Sequence, residues 1–318
     1  MGRHVAWVVL GIWVGSLACR GSVTLPERPR FKVVWPQPER YPDSVLVASG
    51  TVLTVAGYVY FPFYTKWTTA RVFVQGRLVG EARPEAPGLV PRWDFDQERI
   101  TFRVLVTDFG AIGVQDLVVQ VCGEACGEVH IPIRNDPALL EQKARAYARR
   151  YWSIVADGRD YGTIRLVGNV ISVVNTYPDP RIDEVLPEVL RWWELWCGGS
   201  LRFVPGGMDV PRIDIVPGRS TGALPMPPWP GAVTANIFMG HNENKDTDLF
   251  HVLLHEMGHA LGIIGPGGCN PYTEEDCTHP YGYGSIMSSG PIEVGLQFNP
   301  LEQRACRLVY SHPPGTYF

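Results

Sequence analysis

Residues 249–262 read LFHVLLHEMGHALG, and this stretch decides how the second half of the 318-residue chain is interpreted. Apolar side chains recur there at helical spacing and acidic residues precede them, so the sequence predicts a helix over residues 246–262. His255 and His259 are four positions apart and therefore lie on one face of that helix. Because apolar residues surround the pair, we expect both histidines to point into the protein. An amphipathic helix with exposed histidines would not explain those apolar neighbours.

Two imidazoles on one helix face are a suitable pair of ligands for one zinc ion. Glu256 follows His255 directly and is placed to take a proton from a zinc-activated water molecule. The pattern therefore predicts His255 and His259 as metal ligands and Glu256 as the catalytic base. A pattern of this length also arises by chance, so the rest of the chain has to support it.

The stretch HEMGHALG at residues 255–262 resembles the metal-binding motif of the metzincin metallopeptidases, most closely the matrixin-like ones. Their extended motif is HExxHxxGxxH, followed by a Met-turn. The match here runs through Gly262, where the helix has to end and the chain to turn back. The stretch GSIMSS at residues 284–289 resembles the Met-turn, which implies that Met287 lies beneath the metal without binding it. The third histidine of the motif would stand at Gly265, where this chain departs from the pattern.

The resemblance also indicates where the third ligand lies. In matrixin-like patterns the third histidine precedes the methionine of the Met-turn by eight residues, and His279 precedes Met287 by eight. The chain would then carry an insertion of 14 residues between Gly262 and His279, closed by a disulfide between Cys269 and Cys277. Carboxylates are the chemically acceptable alternatives to His279, namely Glu274, Glu275 and Asp276.

Other residues near the predicted site have weaker claims. His251 lies one turn before His255, and we interpret it as a supporting or packing residue. Residues 241–248 are interpreted as a solvated loop in preference to a calcium site. Residues 288–292 are expected to line the specificity pocket. A tyrosine ligand of the astacin kind would stand two residues after Met287, where this chain has Ser289, so no tyrosine ligand is implied.

The elements before the helix also follow the order that the resemblance implies. We predict strands over residues 163–176, 201–204, 213–216 and 232–239, and helices over residues 182–197 and 300–310. Residues 159–318 would then form an α+β catalytic domain with a mixed sheet, an active-site helix and a C-terminal helix. The resemblance implies that the strand at 232–239 is the edge strand, which binds substrate in extended form.

The N-terminal half has a different pattern. Residues 31–135 contain strand after strand of alternating Val- and Thr-rich sequence, separated by turn residues about ten positions apart. This pattern resembles bacterial immunoglobulin-like modules and predicts an all-β sandwich with a spacer or adhesion role. A helix predicted over residues 137–155 would connect the two domains, giving a connecting segment at 136–158.

The first residues predict export. Residues 1–18 combine a basic start with a short apolar run, and Cys19 follows in a sequence that resembles a bacterial lipobox. Cys19 would become a lipidated N-terminus, followed by a tether over residues 19–30. The alternative is an ordinary cleaved signal. We therefore expect a cell-envelope lipoprotein or, failing that, a secreted protein.

Cysteine usage is consistent with an oxidising compartment. Seven cysteines are present, and removing Cys19 leaves six, which allow 15 connectivities. Spacing suggests three pairs: Cys122 with Cys126, Cys269 with Cys277, and Cys197 with Cys306. Two alternatives exist for the first pair, a zinc site or a Cys122 thiol that blocks the metal centre.

Composition limits the remaining functions. Apolar residues form 45% of the chain, which suits a sizeable core. The net charge of −4 gives no basic field for nucleic acid. The sequence therefore predicts a secreted or surface-tethered zinc endopeptidase acting on protein or peptide substrates, with a lipid anchor as its sole membrane contact. The alternative is a cell-surface adhesion lipoprotein whose metal domain is weak or inactive. The substrate sequence and the oligomeric state stay open.

Overall fold

The computed structural model describes residues 28–60, 69–83, 99–156, 159–206, 211–219, 221–226, 230–240, 249–263, 287 and 298–318. This part of the chain is a mixed α/β protein, mostly of strands, with several sheets and few helices. Within it, no helix is both long enough and apolar enough to span a bilayer.

The described residues of the N-terminal half form eight strands. They are β1 (Phe31–Trp35), β2 (Leu46–Val47), β3 (Leu53–Tyr60), β4 (Thr69–Val74), β5 (Arg77–Ala82), β6 (Arg99–Val106), β7 (Gly113–Cys122) and β8 (Cys126–Asn135). One sheet has the order β1-β3-β6 and the other β2-β8-β7-β4-β5. Alternate residues of β7 are buried, as in a sheet with one solvated face. Side chains from both sheets share one core, mostly of valine, leucine and isoleucine with Phe102 and Phe109.

The C-terminal half holds all four α-helices of the described residues; the N-terminal half has one short 3-10 helix, Pro42–Val45. The α-helices are α1 (Pro137–Tyr151), α2 (Pro180–Trp196), α3 (Leu249–Ala260) and α4 (Pro300–Ser311). Its strands are β9 (Ser153–Ala156), β10 (Arg159–Thr163), β11 (Val170–Asn175), β12 (Arg202–Pro205), β13 (Arg212–Gly218), β14 (Gly222–Met226) and β15 (Thr234–Gly240). Strands β9 and β10 form a hairpin, and the others form a sheet of order β12-β11-β13-β15-β14.

The position of the sheet edge corrects one prediction. The strand predicted at 232–239 is β15, which lies inside the sheet between β13 and β14 and is not an edge strand. The edge strands of this sheet are β12 and β14; β14 runs antiparallel to β15, whereas the other strands of the sheet are parallel. The sequence of β14, GALPM, did not predict a strand because glycine and proline are poor strand formers. Proline is tolerated here because β14 is an edge strand.

Two other predicted elements have different bounds. The strand predicted over residues 163–176 is present only as β11; its first residue, Thr163, ends β10, and residues 164–169, with Gly168 at a φ of +87°, lie between the two strands. The helix predicted over residues 137–155 ends at Tyr151, and the chain continues as β9. Asp136 accepts a hydrogen bond from the Leu139 amide and caps the start of α1.

Helix α1 is part of a core and not an isolated connector. Its buried side chains pack with α4 in the larger apolar core, which also includes Leu46 and Ala48 from the N-terminal half. Gln303 of α4 pairs with the backbone of Val52 through two hydrogen bonds of 2.8 and 2.7 Å. The two halves therefore share a buried interface, while the domain boundaries drawn from the sequence stay predictions.

Candidate metal centre

Helix α3 carries the two histidines and Glu256, and its C-terminal end is fixed by Gly262. Gly262 has a φ of +112°, and a Cβ at this position would overlap the carbonyl oxygen of Ile164. Another residue type would be strained there by its backbone and would displace the neighbouring chain. The Ile263 amide donates to the Gly258 carbonyl over 3.0 Å, which closes the turn that follows the helix.

The two imidazoles converge on one point. The Nε2 atoms of His255 and His259 are 3.1 Å apart, and the ring planes meet at 80°. Two nitrogen ligands of one tetrahedral zinc ion, each about 2.1 Å from it, would be separated by about 3.4 Å. The spacing of the two nitrogens is thus close to that of a zinc-ligand pair.

The protonation of His259 also suits a metal ligand. Its Nδ1 lies 2.5 Å from the carbonyl oxygen of Ile263, and a carbonyl oxygen is only an acceptor. Nδ1 therefore carries the proton of the neutral ring, and Nε2 keeps the lone pair that a metal needs. Backbone carbonyls commonly orient metal-binding histidines in this manner.

Glu256 is buried beside the histidine pair, with 9% of its surface exposed. His251 is buried one turn earlier in α3 and contacts the Phe250 ring, in keeping with the packing role expected of it. The buried helix therefore holds four ionisable side chains within nine residues, an arrangement that is common at functional sites and rare elsewhere.

Met287 packs against the turn of α3 that carries His255 and His259. It is fully buried, and a Cβ built at Gly258 would overlap its Sδ and Cε atoms. Gly258 lies between Glu256 and His259, so its missing side chain lets the methionine approach the helix backbone directly. The sequence motif predicts Met287 beneath the site, and Met287 contacts the helix at this point.

Several predicted residues lie outside the described part of the chain. They are Cys19, residues 241–248, Gly265, Cys269, Glu274, Glu275, Asp276, Cys277, His279 and residues 288–292. Among the described residues, no group of three or more His, Cys, Asp or Glu side chains is arranged to hold a metal. The third ligand, the Cys269–Cys277 disulfide and the calcium site therefore stay at the stage of prediction.

Two of the three predicted disulfides are confirmed. Cys122 is bonded to Cys126, and Cys197 is bonded to Cys306. With its sulfur in this bond, Cys122 neither binds zinc with Cys126 nor blocks the metal centre as a free thiol. Both alternatives for that pair are wrong for the oxidised protein.

Sequence reasoning missed one element beside the site. Helix α3 packs against β14, the edge strand, as well as against β15. Helix α3 therefore lies against an edge strand of the sheet, β14. The residue types of β14 do not favour a strand. Only its position in the sequence between β13 and β15 could have suggested one.

No protein-family model matches this chain, and no curated protein is detectably similar to it. The case for its function therefore rests on the site itself and on the motif that the site contains.

Proposed function

We propose that residues 159–318 form a zinc-dependent endopeptidase domain of the matrixin-like metzincin type, preceded by an immunoglobulin-like β-sandwich over residues 31–135. The observation that carries the proposal is the convergence of the His255 and His259 Nε2 atoms, 3.1 Å apart, beside a buried glutamate. A purely structural helix has no need of this arrangement, because buried ionisable side chains are costly unless they are paired or bind a metal.

His255 and His259 would hold the ion through Nε2, with His279 as the third ligand. Zinc, when bound, supplies a Lewis acid that polarises the scissile carbonyl and lowers the pKa of water towards about 7. The Glu256 carboxylate accepts the proton of the attacking water and then passes it to the nitrogen of the leaving amine. Met287 and Gly258 keep the floor of the turn rigid and take no part in proton transfer.

The substrate would be a protein or peptide bound in extended form along β14. Among the described residues β14 has a strand on one side only, and such an edge offers backbone N–H and C=O groups to an added strand, a recurring mode of peptide recognition. Because α3 packs against β14, a peptide bound at this edge would run beside the helix that carries the two histidines.

Export is part of the same proposal. Disulfides persist in oxidising compartments, and both described disulfides are consistent with an extracellular protein. Residues 1–18 as a signal and Cys19 as a lipid attachment site would place the enzyme at the cell envelope, and an unlipidated protein would be secreted.

The substitution Glu256→Gln tests the chemistry. It should leave zinc content unchanged and remove about 3 kcal/mol or more of transition-state stabilisation, which is a loss of at least about a hundredfold in kcat/KM. Glu188→Gln, at a half-exposed glutamate of α2, is the matched control and should cleave casein at the wild-type rate.

Near-normal cleavage by Glu256→Gln would refute the assignment of the base. Failure of the zinc-loaded wild-type protein to cleave any peptide in a chelator-sensitive manner would instead favour the adhesion function.

A further inference from the structure

Side chains from outside α3 donate hydrogen bonds to two backbone carbonyls, one just before His255 and one just after His259. The indole N–H of Trp193 donates to the Leu254 carbonyl over 3.1 Å, directly before His255. The indole N–H of Trp152 and the hydroxyl of Tyr310 both donate to the Leu261 carbonyl, over 3.3 and 3.0 Å. All three donor side chains are buried, so water does not compete for these carbonyls.

The donors satisfy a need at the end of the helix. The last carbonyls of a helix have no intrahelical N–H partner, and a buried carbonyl without a partner is costly. Leu261 lies just past the last residue of α3, and its carbonyl receives two donors from elements that are distant in the sequence. The end of α3 is thus tied to the body of the C-terminal half.

The hydrogen bonds to the Leu261 carbonyl also affect the orientation of His259, a proposed metal ligand. Leu261 is followed by Gly262 and then by Ile263, whose carbonyl accepts the Nδ1 proton of His259. A displacement of the Leu261 carbonyl would move the Ile263 carbonyl with it, and the His259 ring would lose the contact that orients it. At the other end, the bond from Trp193 holds the residue that precedes His255.

From these contacts we propose that Trp152, Trp193 and Tyr310 are positioning residues that keep the His255 and His259 imidazoles converged on the metal. This inference rests on the proposed function, because it assigns the three residues a role in holding the proposed zinc site. None of them touches the metal or the substrate. Each acts through the α3 backbone, as the partners of metal ligands commonly do.

The anchoring residues are themselves held in place by ring contacts. The centroid of Phe298 lies 4.6 Å from that of Trp193 and 6.5 Å from that of Trp152. It also lies 5.5 Å from Trp196, a buried tryptophan in the same cluster whose Nε1 has no hydrogen-bond partner within the described residues. Trp196 therefore provides a control that shares the packing of Trp193 without its hydrogen bond.

A second control exists for Tyr310. The hydroxyl of Tyr147 is buried and donates its hydrogen bond to Glu302, not to α3. Substitution of Tyr147 by phenylalanine removes a buried hydroxyl from the same core and leaves the Leu261 carbonyl untouched.

The test compares Trp193→Phe and Tyr310→Phe with Trp196→Phe and Tyr147→Phe in the full chain. Zinc affinity is measured by competition with a chromogenic chelator, and the visible spectrum of the Co²⁺-substituted protein reports ligand geometry. We expect the two anchor variants to bind zinc about tenfold more weakly and to show an altered Co²⁺ spectrum. The two controls should stay within about threefold of wild type, with its spectrum.

Unchanged zinc affinity in both anchor variants would overturn the inference, and so would equal losses in the controls, which would indicate general core packing. If the wild-type protein binds no zinc, the proposed function fails separately. Amide hydrogen exchange of the metal-free protein then decides the inference. Residues 255–263 should exchange faster in Trp193→Phe and Tyr310→Phe than in the controls, and equal rates would refute it.

Discussion

The main core of the N-terminal half is mostly valine, leucine and isoleucine, with a small separate cluster around Trp35 and Tyr58, whereas the core of the C-terminal half contains four buried tryptophans and three buried tyrosines. Every buried arginine, histidine and carboxylate among the described residues lies in the C-terminal half, namely Arg165, His251, Glu256, His259 and Glu302. Burial of such groups is costly unless partners or a metal compensate it. The buried ionisable side chains thus lie in the half for which we propose the metal site.

The disulfides differ in the same sense. Cys122 and Cys126 close a hairpin of four positions, while Cys197 and Cys306 join α2 to α4 across 109 positions. The long disulfide links α2 and α4, the helices that carry Trp193 and Tyr310. The short one lies where β7 ends and β8 begins, far along the chain from the proposed metal site.

The largest stability effect should come from the long disulfide. Replacing Cys197 and Cys306 together by alanine should lower the free energy of unfolding by about 4–5 kcal/mol, since longer loops lose more denatured-state entropy on closure. The same double change at Cys122 and Cys126 should cost about 2 kcal/mol. Denaturant titrations of both variants measure the two losses, and equal losses would remove this contrast between the halves.

A glycine in each half gives the next comparison. Gly262→Ala should cost about 3 kcal/mol, because an alanine at that φ is strained and its Cβ overlaps the Ile164 backbone. Gly76→Ala, at a turn with a φ of +75° and open space around it, should cost about 1 kcal/mol. Thermal unfolding of the two variants measures this, and a larger loss at Gly76 would contradict it.

The smallest effect concerns a histidine of the N-terminal half. His130 lies 2.6 Å from Asp116 on the surface, and the hydrogen bond to that carboxylate, with its charge, raises the pKa of His130 above its ordinary 6.5. A raised pKa in the folded state means that the stabilisation is full below about pH 6.5 and is lost as the pH rises through the folded-state pKa.

His130→Gln should therefore lower the melting temperature slightly at pH 5.5 and leave it unchanged at pH 9. Because the pair is exposed, the shift should be small. A variant that is destabilised equally at both pH values would show that charge is not the cause.

The helices of the C-terminal half could largely be predicted from the sequence. Helix α4 begins at Pro300, as predicted, because Asn299 and Glu302 form a capping box that is readable from residue types. Gly262 and the histidine pair were equally readable, since their spacing reflects local helix geometry. The edge strand β14 was not, because its residue types argue against a strand and only pairing with β15 creates it.

The hydrogen bonds that Trp193 and Tyr310 make to the backbone at Leu254 and Leu261 could not be predicted for a similar reason. Trp193 has the spacing of an ordinary core residue on α2, and nothing local indicates that its indole meets a carbonyl 61 positions away. The same holds for Tyr310, whose acceptor lies 49 positions earlier. Hydrogen bonds between distant elements depend on the packed fold, which single-sequence patterns do not encode.

The measurement that tests the central claim most directly is a crystal structure of the zinc-loaded protein with anomalous data at the zinc edge. The account predicts one zinc ion per chain, with the Nε2 atoms of His255 and His259 each about 2.1 Å from it and a His279 nitrogen as the third protein ligand. A zinc ion bound elsewhere, or no zinc at the His255 and His259 pair, would contradict it.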